Sequence, residues 1–285
     1  MPNAIAKRVK NVVSPPPCVP VLRLSGVIGG GRGGVRGGGL SIAQLAQPLE
    51  QAFSMRNAKA VALIINSPGG SPVQSSFIFK RIRSLADEKG LPVYAFAEDV
   101  AASGGYLIAC AADEIYADES SILGSIGVVS AGFGFVELIE KLGIERRVHT
   151  AGESKSMLDP FRPEKKDDVR RLKELQTDVH DWFKDLVRSR RGEKLDATRE
   201  DLFTGAFWGG QKAVEIGLAD EIGEVRSVLR AKFGDEVRLR LVAPQQPFWM
   251  RNSGGVFGGQ ASLGIAAEDW IQAAEQRSLW SRFGL

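Results

Sequence analysis

Histidine is scarce in this chain: 285 residues contain two, His149 and His180. A serine nucleophile that relied on an imidazole base would have only these to draw on. Cysteine is equally rare. Cys18 and Cys110 make neither a metal-spaced cluster nor a disulfide framework, and Cys110, inside an apolar run, reads as a small packed hydrophobe. The net charge of +3 is slight and no basic stripe interleaves with aromatics, which argues against nucleic acid as a partner. A long apolar run is missing too. The nearest approach to a membrane-spanning segment, "SSILGSIGVVSAGFGFVELI", is broken by glycines and serines and reads as buried strand and turn. The N-terminal "MPNAIAKRVKNVVSPPPCVP" is positively charged but has no apolar core of signal-peptide length. A soluble cytoplasmic protein is the expectation, with peripheral contact to the inner membrane left open.

What is present is an alternation of apolar strands and amphipathic helices. "SPPPCVP" is an extended linker, since stacked prolines exclude helix. "VPVLRLSGVIGG" reads as a strand, and the tract "GGGRGGVRGGG" after it lacks a phosphate-loop Lys-Ser/Thr, so it reads as a mobile loop. Ile42, Leu45, Leu49, Ala52 and Phe53 recur at helical spacing. "KAVALIIN" is a continuous apolar strand of the kind buried on both faces of a parallel sheet. After "SPGG", Ser71 and Pro72 occupy the N-cap and first-turn positions of the next helix. "PVYAFAED" is the following strand. Further strands are read at "DEIYAD", "SIGVVS" and "ERRVHTAG", with a helix at "GFVELIEKLG".

This order implies an α/β fold whose mostly parallel sheet is joined by right-handed crossovers. From residue 164 to about 191 a charged helix carries Leu172, Leu175, Val179, Trp182, Phe183 and Leu186 on one face. A shorter helix stops at Gly217, and "NSGGVFGGQ" reads as a flexible linker. In the terminal helix Trp270, Ile271, Ala274, Trp280 and Phe283 form an apolar stripe beside Arg277 and Arg282. It would pack on its own domain or a neighbour, lie on a membrane surface, or stay partly disordered.

Ser103 stands between two alanines and Gly104–Gly105, where a strand gives way to a helix. A hydroxyl there either caps the helix or sits where exposed amides favour a developing negative charge. "NSPGG", with Gly69 and Gly70, ends a buried strand at the sheet's C-terminal edge, where open α/β sheets bind ligands. Glycines at such a place let a substrate carbonyl reach backbone N–H groups, as an oxyanion hole requires. The base is less plain. His149 lies near the end of a strand, and His180 lies beside the apolar stripe of the charged helix. Lys155, between Ser154 and Ser156 and ahead of Met157 and Leu158, serves equally if burial lowers its pKa from the ordinary value of about 10.4.

Taken together, "INSPGG", "ASGGYLIACAAD", "ILGSIGVV", "AGESKSMLDPF" and "FWGGQKAVEIGLADEIG" resemble the signal peptide peptidase A family of serine–lysine peptidases, in that family's order and spacing over roughly residues 20 to 225. The resemblance implies the ClpP/crotonase fold, a repeated ββα spiral forming a single catalytic domain with a helical extension. It implies Ser103 as nucleophile, Lys155 as general base, and Ser125 as the serine whose hydroxyl orients the lysine. The amides of Gly70 and Ser103 would form the oxyanion hole, with Gly69, Gly104 and Gly105 giving the substrate backbone room. No cofactor or metal is implied. Expected substrates are peptides with apolar segments, such as signal-peptide remnants, and the expected assembly is a ring-like homo-oligomer with shared active sites. Bacterial members commonly begin with a membrane anchor, and none is expected from the N-terminal residues here. The domain boundaries expected are a leader over 1–19, the peptidase domain over 20–243, a linker over 244–262 and an amphipathic helix over 263–285.

Two other readings separate from this one by experiment. A crotonase-like acyl-CoA hydratase or isomerase would use paired amides without a serine–lysine pair and would bind a CoA thioester. A non-catalytic membrane-associated scaffold would fail to react with a serine-directed probe.

Overall fold

The computed structural model describes residues 16–29, 39–243, 274 and 277–285. The leader to residue 15, the glycine tract 30–38 and most of the expected linker and terminal helix, Trp270 and Ile271 included, lie outside the described residues. The chain divides into two compact units. One comprises the residues up to Ile126 with those from Leu186 onward; the other is Gly127–Asp185.

The first unit is built on an eight-stranded, mostly parallel sheet. β1 (Cys18–Ser25) lies between β2 (Val61–Ser67) and β8 (Arg238–Val242), parallel to both. β2 pairs on its other side with β3 (Val93–Ala102). The apolar runs in β1, β2 and β3 are buried almost throughout, as strands covered on both faces require. On one side Val19, Val21, Ala62, Phe96 and Tyr116 form a cluster with Leu229 of helix α7 (Val225–Phe233), and Phe96 stacks on Tyr116 at 5.1 Å. α7 has no counterpart in the sequence analysis, although the Glu224 carboxylate caps it by accepting from the N–H groups of Arg226 and Ser227. Helices α1 (Ile42–Phe53), α2 (Pro72–Lys89) and α3 (Gly104–Ala109) also belong to this unit; α1 packs on α2, and α2 on α3. Ser71 caps α2 as expected, its hydroxyl accepting from Gln74 N–H.

β3 changes partners part-way along. Tyr94–Ala97 pair with β4 (Glu114–Ala117), whereas Val100–Ala102 pair with β5 (Ile122–Gly124). Between them the register against β2 shifts: Ile65 faces Ala97 but Ser67 faces Ala101, leaving extra residues on β3. β6 (Phe207–Gly209) closes that end antiparallel to β5, and β7 (Glu221–Ile222) extends β4. The strand expected at "SIGVVS" is therefore displaced: it comprises Ile122–Gly124 and ends where Ser125 takes a left-handed backbone. Helix α6 (Gly210–Glu215) follows β6, and Gly217 with φ +80° lies just beyond its end.

The described end of the tail packs on its own unit. Phe283 is buried against Val100 and Ala102, with Ile122 and Trp280 alongside, and meets Phe207 edge-on at 5.1 Å. A buried ion pair secures the same unit. Arg191 Nε donates to Gly217 O at 2.8 Å and its Nη1 to Asp220 Oδ2 at 2.7 Å, while Asp220 also accepts from Lys194 and from Ile115 N–H. Burial pushes the Asp220 carboxyl up, but the hydrogen bonds from Arg191 and Lys194 prevail and hold it below its ordinary range. A depressed carboxyl stabilises the fold above its unfolded pKa of about 4, and that contribution is lost as pH falls through the lower folded value. Replacing Arg191 with methionine is expected to cost about 3 kcal/mol, because it removes the buried partner of Asp220 and leaves that carboxylate only Lys194 and the Ile115 N–H. Urea unfolding at neutral pH measures the loss, which should shrink once acid protonates Asp220.

The second unit contains α4 (Val136–Lys141) and most of α5 (Lys166–Arg191), whose residues from Leu186 onward belong to the first unit. The expected strand "ERRVHTAG" is absent: residues 144–150 take no regular structure, are unpaired and are largely exposed. Without partner strands its alternation has nothing to bury. On α5, Phe183 is buried and Leu172, Val179 and Leu186 are partly buried, but Leu175 and Trp182 face solvent. The buried stripe continues instead through Val187.

Candidate active site

Ser103 follows the last residue of β3 and precedes α3. Two observations set its hydroxyl apart from a helix cap. The side chain makes no capping hydrogen bond, unlike Ser71 or Glu224 at equivalent positions. Its backbone has φ 52° and ψ −120°, a region costing a residue with a Cβ about 1–3 kcal/mol. The surrounding pairing enforces this conformation, since Ser103 N–H donates to Gly124 O at 2.8 Å and Ser103 O accepts from Leu107 N–H at 2.9 Å.

That first bond corrects one expectation. The Ser103 amide is spent on Gly124 and is not available to an oxyanion, because parallel pairing with β5 continues one residue past Ala102. Among the described residues, neither Gly70 N–H nor Gly104 N–H finds a backbone acceptor. These two amides are close: a Cβ built on Gly104 would lie 3.4 Å from Gly70 N. Gly70 is held by Ile28, which accepts from Ser71 N–H and donates to Gly69 O at 2.8 Å each. Gly69 N–H donates to Ser67 Oγ. Gly105 lies directly over Ser67 O, so the turn after β2 and the start of α3 are in backbone contact.

Gly69 packs directly against Ser103. A Cβ there would fall 2.7 Å from Ser103 Cβ and 2.9 Å from Gly104 N, and its φ is +103°. Gly69→Ala is therefore expected to push Ser103 and the Gly104 amide apart and to lower kcat by about a hundredfold or more. Steady-state peptide hydrolysis alongside a melting curve separates that loss from unfolding.

Ser125 stands beside Ser103, one residue beyond the Ala102–Gly124 pair. It is 4% exposed, has φ 53°, and is anchored by its N–H to Ala206 O at 2.7 Å. The structure thus brings together Ser103, Ser125, Gly69, Gly70, Gly104 and Gly105 at the C-terminal ends of β2, β3 and β5.

Lys155 lies in the second unit, as do His149 and His180. It occupies a run of turns in which Lys155 N–H donates to Gly152 O and Met157 N–H to Ser154 O, and its side chain is exposed. The end of this loop is pinned down. Asp159 accepts from Arg146 and from Phe161 N–H, Leu158 N–H donates to Asp168, and Phe135 N–H donates to Pro160 O. Arg146 also lies over the Phe161 ring, 4.9 Å from its centre. His149 is exposed on the unpaired stretch before this loop, and His180 is partly buried on α5.

Residues 86–237 match peptidase family S49. The chain belongs to this family. The S49 match takes in Ser103, Ser125 and Lys155, while Gly69 and Gly70 precede it. A putative protease of Synechocystis is 30% identical over 202 residues, covering 69% of this chain and 72% of that protein. A Brucella abortus protein named Na(+)/H(+) antiporter NhaA is 50% identical over 273 residues, 94% of this chain but 37% of its own length. The chain thus spans little more than a third of that relative. Among solved structures, the membrane-bound stomatin-specific protease 1510-N, in complex with a substrate peptide, superposes with a TM-score of 0.52 at 17% identity, covering 81% of this chain and 94% of that one. The mostly parallel sheet and this likeness establish the ClpP/crotonase-like fold of S49 peptidases. No described helix is long and apolar enough to cross a membrane.

Proposed function

We propose that this S49 member is a serine endopeptidase that uses a Ser103–Lys155 dyad on peptides with apolar segments. The observation that carries this is the Ser103 hydroxyl, uncommitted to capping and held in a left-handed backbone beside the Gly70 and Gly104 amides. Neutral Lys155 takes the Ser103 proton as the oxygen attacks a peptide carbonyl. The resulting oxyanion is received by the N–H groups of Gly70 and Gly104. Protonated Lys155 then donates to the leaving amine, and water attacks the acyl-enzyme by the same route in reverse. Ser125, buried next to Ser103, orients the lysine amine by hydrogen bonding.

A lysine accepts a proton at neutral pH only when it is dehydrated. Lys155 is exposed in the single chain, and so are Val129, Phe133, Leu138, Leu142, Ile144 and Met157 of the same unit. That concentration of apolar surface supports a homo-oligomer in which a second copy covers this unit and excludes water from the lysine. Substrates in a membrane setting, such as signal-peptide remnants or membrane-protein fragments, agree with the antiporter-named relative and with the membrane-bound protease of similar fold. The test is covalent labelling with a fluorophosphonate, followed by peptide mapping. Adduct on Ser103 supports the reading; no adduct, or one mapping elsewhere, overturns it.

A further inference from the structure

The register shift in β3 lies only a few residues ahead of Ser103. Glu98 and Asp99 pair with neither β4 nor β5, and with Val100 they are the residues passed over in the register against β2. A bulge of this kind bends a strand and re-aims the residues beyond it, so whatever fixes the bulge fixes the direction in which Ser103 is presented.

Asn66 of β2 contacts this stretch at two points. Its Nδ2 donates to Asp99 Oδ2 at 2.6 Å, and its Oδ1 accepts from Val100 N–H at 3.3 Å. Its own carbonyl accepts from Gly26 N–H at 2.9 Å, tying it to the end of β1. Glu98 is held from the same side by Arg23 at 2.6 Å. On the far side Ser121 Oγ donates to Ala97 O at 3.1 Å. Val100 N–H has lost its ladder partner to the register shift, and the Asn66 amide oxygen replaces it. A carboxylate at 66 could accept from Val100 but would repel Asp99, and an aliphatic side chain could do neither. Only a side chain offering an acceptor and a donor on one planar group makes both bonds.

We infer that Asn66 is a positioning residue for the nucleophile: it locks the β3 bulge and thereby the presentation of Ser103. The inference rests on Ser103 being the nucleophile. Asn66 touches no reacting atom, so its removal acts on turnover and on the reactivity of Ser103 more than on substrate affinity.

The test uses the donor pattern itself. The full-length protein and its N66D, D99N and N66D/D99N variants are compared for kcat, KM, fluorophosphonate labelling rate and melting temperature. N66D should lower kcat and the labelling rate by about ten-fold with KM and melting temperature little changed, since small misplacement of a reacting group is costly. D99N should stay near wild type, because an amide oxygen at 99 still accepts from Asn66. The double variant should recover to within about three-fold of wild type, as the amide at 99 now donates to the carboxylate at 66. Wild-type kcat in N66D, no recovery in the double variant, or losses that simply follow melting temperature would each overturn the proposal. Ser103→Ala is measured in parallel. If it still hydrolyses peptide, the nucleophile assignment has failed; if it is inert while the Asn66 series is flat, only the positioning role has failed.

Discussion

Ser103→Ala is expected to reduce peptide hydrolysis by about four orders of magnitude or more, to the level left by binding and amide stabilisation alone. The fold should survive the change. Alanine keeps the Cβ and so keeps the same backbone, and the hydroxyl it removes makes no capping bond to α3. The melting temperature should therefore stay close to wild type. Ser103→Gly supplies a control of opposite sign: it is equally inactive, but it relieves the φ 52° conformation. Because strain of this kind is worth about 1 kcal/mol or more, the glycine variant should melt above the alanine variant. An alanine variant that retained substantial activity would remove Ser103 from the mechanism, and a glycine variant melting well below it would deny the strain.

Lys155→Arg is expected to be as inactive as Lys155→Ala, each slowing hydrolysis by about three orders of magnitude or more. Arginine preserves length, charge and solubility but holds its proton above a pH of about 12, so it cannot act as a base. The pair of variants therefore separates proton acceptance from charge. In the single chain Lys155 is exposed and only its backbone N–H enters the loop's hydrogen bonding, so neither change should alter the stability of the monomer measurably. Chemical rescue sharpens the result. Lys155→Cys treated with 2-bromoethylamine regains a primary amine on a side chain of nearly lysine length, and Cys18 and Cys110 are both buried away from the reagent. Burial also pushes the Cys110 thiol up to about 12, which keeps it protonated and unreactive. Return of activity after aminoethylation would identify the amine as the base. Activity retained in Lys155→Arg would shift attention to His149 or His180.

Much of this protein is legible in its residues, and the exceptions are informative. The buried strands declare themselves as continuous apolar runs, and the Ser71–Pro72 helix start and the Gly217 stop arise from local capping chemistry. Ser103 and the "SPGG" turn stand out because small residues cluster where strands end. Lys155 does not stand out in this way. A lysine in a polar loop looks like any solvated lysine, and only the family resemblance distinguishes it. The second unit is the least legible part. The alternation in "ERRVHTAG" suggests a strand, yet no partner strand is present among the described residues, and a strand without a partner leaves its backbone groups unsatisfied. The stripe on α5 drifts for a related reason: helical periodicity marks an apolar face, but which residues on it are buried depends on what packs there.

The division between sequence and structure is clearest at the oxyanion site. The sequence by itself determined the parallel α/β scaffold, the serine and the glycines beside it, because apolar periodicity and steric permissiveness are properties of neighbouring residues. Which amides are left without a backbone acceptor was decided only by the tertiary structure. β5 pairs one residue past the end of β3, consumes the Ser103 N–H and leaves those of Gly104 and Gly70 open. A backbone donor looks the same at every position in the sequence. Whether it is occupied depends on a strand some twenty residues further along the chain, and on the bulge that Asn66 holds in register.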